Sequence, residues 1–72
     1  MPHITIKTYP LPETVKLELA KEITNLLINK AGKSENAISI AITDVPESDW
    51  MEQVYDREIR PNLSTLYKKP GY

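Results

Sequence analysis

Met1-Pro2-His3-Ile4-Thr5-Ile6-Lys7 is the stretch from which the reading of the whole chain follows. Ile4 and Ile6 share one parity, and His3, Thr5 and Lys7 the other. That period of two, with β-branched residues that favour a pleated backbone, predicts a first strand over residues 3–9. A proline stands directly behind the initiator methionine. Removal of Met1 makes Pro2 the chain terminus and turns its nitrogen into a secondary amine. Most termini are frayed and wet, whereas this one is tied into a strand from its second residue onward. Pro2 is therefore a candidate base. The plainer alternative is a strand-start residue that merely permits methionine removal.

Outward from this strand, Pro10-Leu11-Pro12 ends the ladder, because each proline lacks an N–H and fixes φ. Pro12 also suits the first turn of a helix. Between residues 13 and 31, Val15, Leu19, Ile23, Leu26, Leu27 and Ala31 recur at spacings of three and four, the stripe of an amphipathic helix. Gly32 supplies the left-handed residue that commonly stops one. Residues 33–36 read as a loop. Residues 37–43 then alternate Ile38, Ile40 and Ile42 with small side chains, predicting a second strand. A connection that contains a long helix implies a right-handed β-α-β crossover with parallel strands. The isoleucine faces are expected under the helix, and the opposite faces are left for a second subunit. Residues 44–49 form a turn, after which Trp50, Met51, Val54, Tyr55 and Ile59 continue at helical spacing until Pro61 interrupts. Leu63, Leu66 and Tyr67 mark a further short helical segment, and Pro70-Gly71-Tyr72 reads as coil. The expectation is one domain over 1–72.

The 72 residues leave little room for a core, since a chain near this size buries only about 60% of its unfolded surface. Disulfides are excluded by the lack of cysteine, and His3, the sole histidine, excludes the usual His/Cys zinc sets, so no metal is expected. Association remains, and the default is a homo-oligomer. A net charge of −1 gives no basic footprint for nucleic acid or an anionic membrane surface. No apolar run approaches a membrane span and no signal-peptide pattern opens the chain, so a cytoplasmic location is expected.

Over nearly its whole length the chain resembles the tautomerase superfamily, of which 4-oxalocrotonate tautomerase is the short-chain type. The likeness rests on Met1-Pro2 leading into a strand, a β-α-β unit of this size, a second strand followed by an acidic residue, and an aromatic at Trp50. Pro2-His3-Ile4, Ile38-Ser39-Ile40-Ala41, Pro46-Glu47-Ser48-Asp49-Trp50, Glu58-Ile59 before Pro61, and Lys68-Lys69-Pro70-Gly71-Tyr72 are similar to the enterobacterial, phenylpyruvate-tautomerase-like subgroup. The resemblance implies an α/β chain in the α+β sandwich of the tautomerase type, with its sheet completed by oligomerisation. It also implies a cofactor-free keto–enol tautomerase in which Pro2 carries the proton. A general base works best with a pKa near ambient pH, and a free α-amine has a reference value of about 7.7 to 8.0. Apolar walls or a nearby cation favour its neutral form.

One departure from the family matters. Many members hold a dicarboxylate with two arginines, where this chain has Pro12 and Ser39, and neither binds a carboxylate as a guanidinium does. The expected substrate is a monoanionic, partly apolar 2-oxo or enol acid such as phenylenolpyruvate, with Trp50 as a flat wall, Ser39 as an orienting hydroxyl and Arg57 as the anion contact. Against these stand plainer roles: Trp50 in a core or interface, Ser39 as a small packed residue, Arg57 and Arg60 in surface ion pairs, and His3 at an interface. A non-catalytic oligomeric binding module is the alternative function. Family members form dimers or trimers of dimers, and the tail over 61–72 favours a homodimer over a hexamer.

Overall fold

A computed structural model describes residues 1–72. The order is β1 (His3–Thr8), α1 (Glu13–Ala31), a 3-10 turn (Glu35–Ala37), β2 (Ser39–Asp44), a second 3-10 turn (Glu47–Asp49), a second helix (Met51–Ile59) and a 3-10 segment (Arg60–Thr65). β1 and β2 pair in parallel from His3 opposite Ser39 to Thr8 opposite Asp44. This is the expected β-α-β unit with a short C-terminal helical segment. The ladder is clamped at both ends, by Ser39 N–H donating to the Pro2 carbonyl at 3.2 Å and Val45 N–H donating to the Thr8 carbonyl at 2.8 Å. β2 starts later than the alternation suggests because residues 35–37 first close a tight turn, in which Ile38 N–H reaches the Glu35 carbonyl.

The α1 boundaries fall where the sequence sets them. The Pro12 carbonyl accepts from Val15 and Lys16 at 3.1 and 3.2 Å, and Gly32, at φ 65°, ends the helix with its N–H on the Leu27 carbonyl. Its inner face is rotated from the expected stripe. Lys16, Leu19, Ala20, Ile23, Thr24, Leu27 and Ile28 are half-buried, while Val15, Leu26 and Ala31 are exposed. Lys16 is drawn in by Asp44 at 3.0 Å on the end of β2. The isoleucines Ile4, Ile6, Ile40 and Ile42 are half-buried on one side of the sheet, and His3, Thr5, Lys7, Ser39, Ala41 and Thr43 lie exposed on the other.

The second helix departs from α geometry: its hydrogen bonds run i→i+5, ending with Arg60 N–H on the Tyr55 carbonyl. Such π-type helix is rare and tends to occur at functional sites. Bonding at this interval brings residues five apart, such as Trp50 and Tyr55, nearer to one side of the helix than α geometry would. After Pro61 the chain tightens to 3-10, and the Asn62 side-chain amide donates to the Glu58 carbonyl at 2.9 Å.

Only Val45 and Val54 are buried. The radius of gyration is 13.8 Å, against about 11 Å for a compact chain of this length. Both edges of the two-stranded sheet are unpaired. The protomer is thus an open, flat body with a core that it does not close by itself. No helix is long and apolar enough to cross a membrane.

Candidate active site

The main concavity, of about 670 Å³, is lined by Lys7, Thr8 and Tyr9 from the end of β1, by Trp50, Met51 and Tyr55, and by Tyr72. Four of these seven residues are aromatic, and they brace one another. The rings of Tyr9 and Trp50 meet edge to face at 5.3 Å between centroids, and those of Tyr55 and Tyr72 are tilted at 5.6 Å, separations at which aromatic pairs attract. Trp50 Nε1–H donates to the Tyr72 hydroxyl at 2.9 Å. The indole is thereby held at its polar end by the tail and packed against Tyr9 just past β1, and it borders the groove. The π register contributes directly, because it puts Trp50 and Tyr55 on the same side of their helix.

Lys7 is the only cationic residue along the groove, and its ammonium is paired with the Glu58 carboxylate. Strand alternation alone marks Lys7 as a solvent-facing residue, and nothing local in the sequence connects it to a glutamate 51 positions away. The part of Tyr72 is equally illegible, since it rests on a coil tail that folds back across 22 positions to Trp50.

The other sequence-derived candidates lie elsewhere. Pro2 is half-buried at the start of β1, with its carbonyl held by Ser39 N–H. At a rise of about 3.3 Å per residue, the five steps from Pro2 to Lys7 span about 16 Å. Pro2 and the groove thus occupy opposite ends of the same strand within a protomer. The Ser39 hydroxyl is hydrogen-bonded to His3 Nδ1 at 2.6 Å on the exposed side of the sheet, with Thr5 Oγ1 3.5 Å from His3 Nε2. Arg57 is exposed and does not border the groove. Arg60 pairs with Asp56, four residues back on the second helix, at 3.3 Å.

Residues 2–55 match the family described as Tautomerase enzyme, which covers both strands, α1 and the start of the helix that carries Trp50. Among individual proteins, the chain is 43% identical over 74 aligned residues to the Tautomerase PptA of Klebsiella pneumoniae strain 342. It is 42% identical to that of Escherichia coli strain SMS-3-5, and 40% identical to that of Enterobacter sp. strain 638. In each case the match spans 100% of this chain and 97% of the relative. A parallel β-α-β unit that opens on Pro2, a family match over three quarters of the chain and full-length relatives at this identity leave one assignment: the chain belongs to the tautomerase family of enzymes.

Proposed function

We propose that this tautomerase is a cytoplasmic homodimer that interconverts enol and keto forms of a monoanionic, partly aromatic 2-oxo acid such as phenylenolpyruvate. Pro2, freed by removal of Met1, is the proton carrier, and no cofactor takes part. The observation that carries the substrate class is the groove itself, with four aromatic side chains and the single cation Lys7. Its walls suit a planar ring and its charge suits one carboxylate.

Met1 is 98% exposed, so the bond that must be cut is accessible. Cutting it matters because the lone pair of an amide nitrogen is delocalised, whereas that of a secondary amine is free. The pyrrolidine ring then limits the nitrogen to few orientations, and the Ser39 bond to the Pro2 carbonyl fixes the residue from behind. In the enol-to-keto direction the amine takes the hydroxyl proton, the carbonyl forms as the double bond shifts, and the prolinium delivers a proton to carbon. The amine is regenerated with no net change in the enzyme.

The 16 Å span within one chain suggests how the site is assembled. Antiparallel pairing of two β1 edges about a two-fold axis near Thr5 and Ile6 puts Pro2 of one subunit beside the Lys7-to-Tyr9 end of the other strand. A two-fold contact repeats this at both ends, giving two sites per dimer, each with the base of one chain and the groove of the other. The same pairing removes an unpaired sheet edge. Trp50 is the wall of this site, and the Ser39–His3 pair lies behind the base. Arg57 has its place at the rim only if the partner brings it there. The alternative of a non-catalytic binding module is disfavoured by membership of an enzyme family.

The test pairs an intact mass with a spectrophotometric assay of phenylenolpyruvate ketonisation in wild type and Pro2→Ala. The expected result is a mass lacking Met1 and a turnover at least about a hundredfold lower in the variant, the usual scale of a lost general acid–base. Equal rates in the two proteins refute the assignment of Pro2.

A further inference from the structure

The Lys7–Glu58 pair is more than a surface ion pair, because one of its members borders the groove and neither is deeply covered: their side chains are 37% and 50% exposed. An ion pair this open is weakly held, so an incoming carboxylate competes with Glu58 for the ammonium on nearly equal terms. No other cation borders the groove. Lys16 is held by Asp44 and Glu13, and Arg60 by Asp56, while Arg57 stays outside the groove lining. Glu58 reaches the Lys7 ammonium from the end of the second helix, and Lys7 is its salt-bridge partner. A groove whose one cation already has a carboxylate partner has room for one negative charge. A second charge would meet Glu58 with no cation to offset it.

We propose that Lys7 and Glu58 act together as a charge filter, in which Lys7 binds a single substrate carboxylate and Glu58 excludes a second. This rests on the groove being the substrate site, as proposed above, and names the residues that set its preference. Arg57 is then not needed for the anion contact.

The experiment uses the assembled full chain and reads binding directly from the fluorescence of Trp50, the sole tryptophan. The probes are 3-phenylpropionate with one carboxylate, phenylsuccinate with two, and 3-phenylpropanamide with none. Lys7→Met should weaken 3-phenylpropionate at least about tenfold, the scale of one charged hydrogen bond, and leave the neutral amide within about twofold, since no charge is lost there. Lys7→Arg should restore most of the loss. Glu58→Gln should improve phenylsuccinate relative to 3-phenylpropionate by about fivefold or more, the scale of one relieved like-charge contact near a surface. Unchanged 3-phenylpropionate binding in Lys7→Met, an equal loss for the amide, or an unaltered preference in Glu58→Gln overturns the filter. These readouts involve no proton transfer. A failed assignment of Pro2 appears as a Pro2→Ala protein that keeps its turnover, and a failed filter as binding constants that do not move.

Discussion

If base and groove come from different chains, two proteins that are each inactive should make an active one when mixed. One chain carries Pro2→Ala with an intact groove. The other carries Trp50→Ala, which removes the indole wall, its bond to Tyr72 and its edge contact with Tyr9, and keeps Pro2. Each homogeneous dimer is expected below about a tenth of wild-type turnover, since a base or a positioning wall is missing at every site. Denatured together in equal amounts and refolded, random pairing yields hybrids as half of all dimers. Each hybrid has one site that joins the intact base of one chain to the intact groove of the other, and one site with both lesions. About a quarter of all sites are therefore restored, and about half of those in a purified hybrid, as two-fold symmetry requires. Tags of different mass let native mass spectrometry count the hybrids while the enol assay reads their activity. The roughly 16 Å between Pro2 and Lys7 along β1 is what separates the outcomes, because a general base has to act within about 3 Å. Hybrids present at half abundance with no recovered activity would refute the shared site, and a six-chain particle would refute the dimer.

Two further predictions concern the scaffold. Gly32 is at φ 65°, and a Cβ at this position would meet nothing within 4 Å, so Gly32→Ala carries only the backbone cost of the left-handed region, about 1 kcal/mol; urea midpoints at fixed protein concentration should show it, and an unchanged midpoint would contradict the cap. The ammonium of Lys16 is raised above its ordinary 10.5, first by its hydrogen bond to Asp44 and then by the charges of Asp44 and Glu13. A raised folded-state pKa gives stability that is complete below the unfolded value and lost as pH climbs through the folded one. The melting difference between wild type and Lys16→Met should therefore be constant from neutral pH to about 10 and close above 10.5; a difference that grows with pH would contradict that sign.

The elements that local chemistry sets were legible in the chain. Pro10 and Pro12 end a strand and open a helix, Gly32 closes that helix, and alternating isoleucines mark both strands of the parallel pair. What escaped depends on distance or on a choice between near-equal periods. Trp50, Met51, Val54, Tyr55 and Ile59 fit an α spacing almost as well as the i→i+5 pattern that they adopt, so their spacing indicates a helix but not the register that turns Trp50 and Tyr55 toward one groove. The inner face of α1 includes Lys16 and Thr24 because Asp44 waits at the end of β2 for one and the Ala20 carbonyl accepts from the other at 2.7 Å. Hydropathy instead points to Val15 and Leu26, which lie outside. Lys7 and Tyr72 join the groove through contacts 51 and 22 positions long, and no window along the chain contains both partners.

Those displaced apolar residues bear on the proposed link between chemistry and assembly. Leu17 and Leu26 are 64% and 55% exposed, Tyr9 and Met51 are about half exposed, and two valines are all that the protomer buries. Burying apolar area is the main favourable term available to a small chain, and this chain leaves much of it unused, with β1 open along an edge. Pairing at that edge would use it. It would also shelter Pro2, which one protomer alone leaves at the end of a thin sheet, and bring it to aromatic walls whose low polarity favours an uncharged amine. On this account subunit contact is a condition for the base to function, and dilution that separates the subunits should abolish turnover at the same concentration at which it loosens the fold.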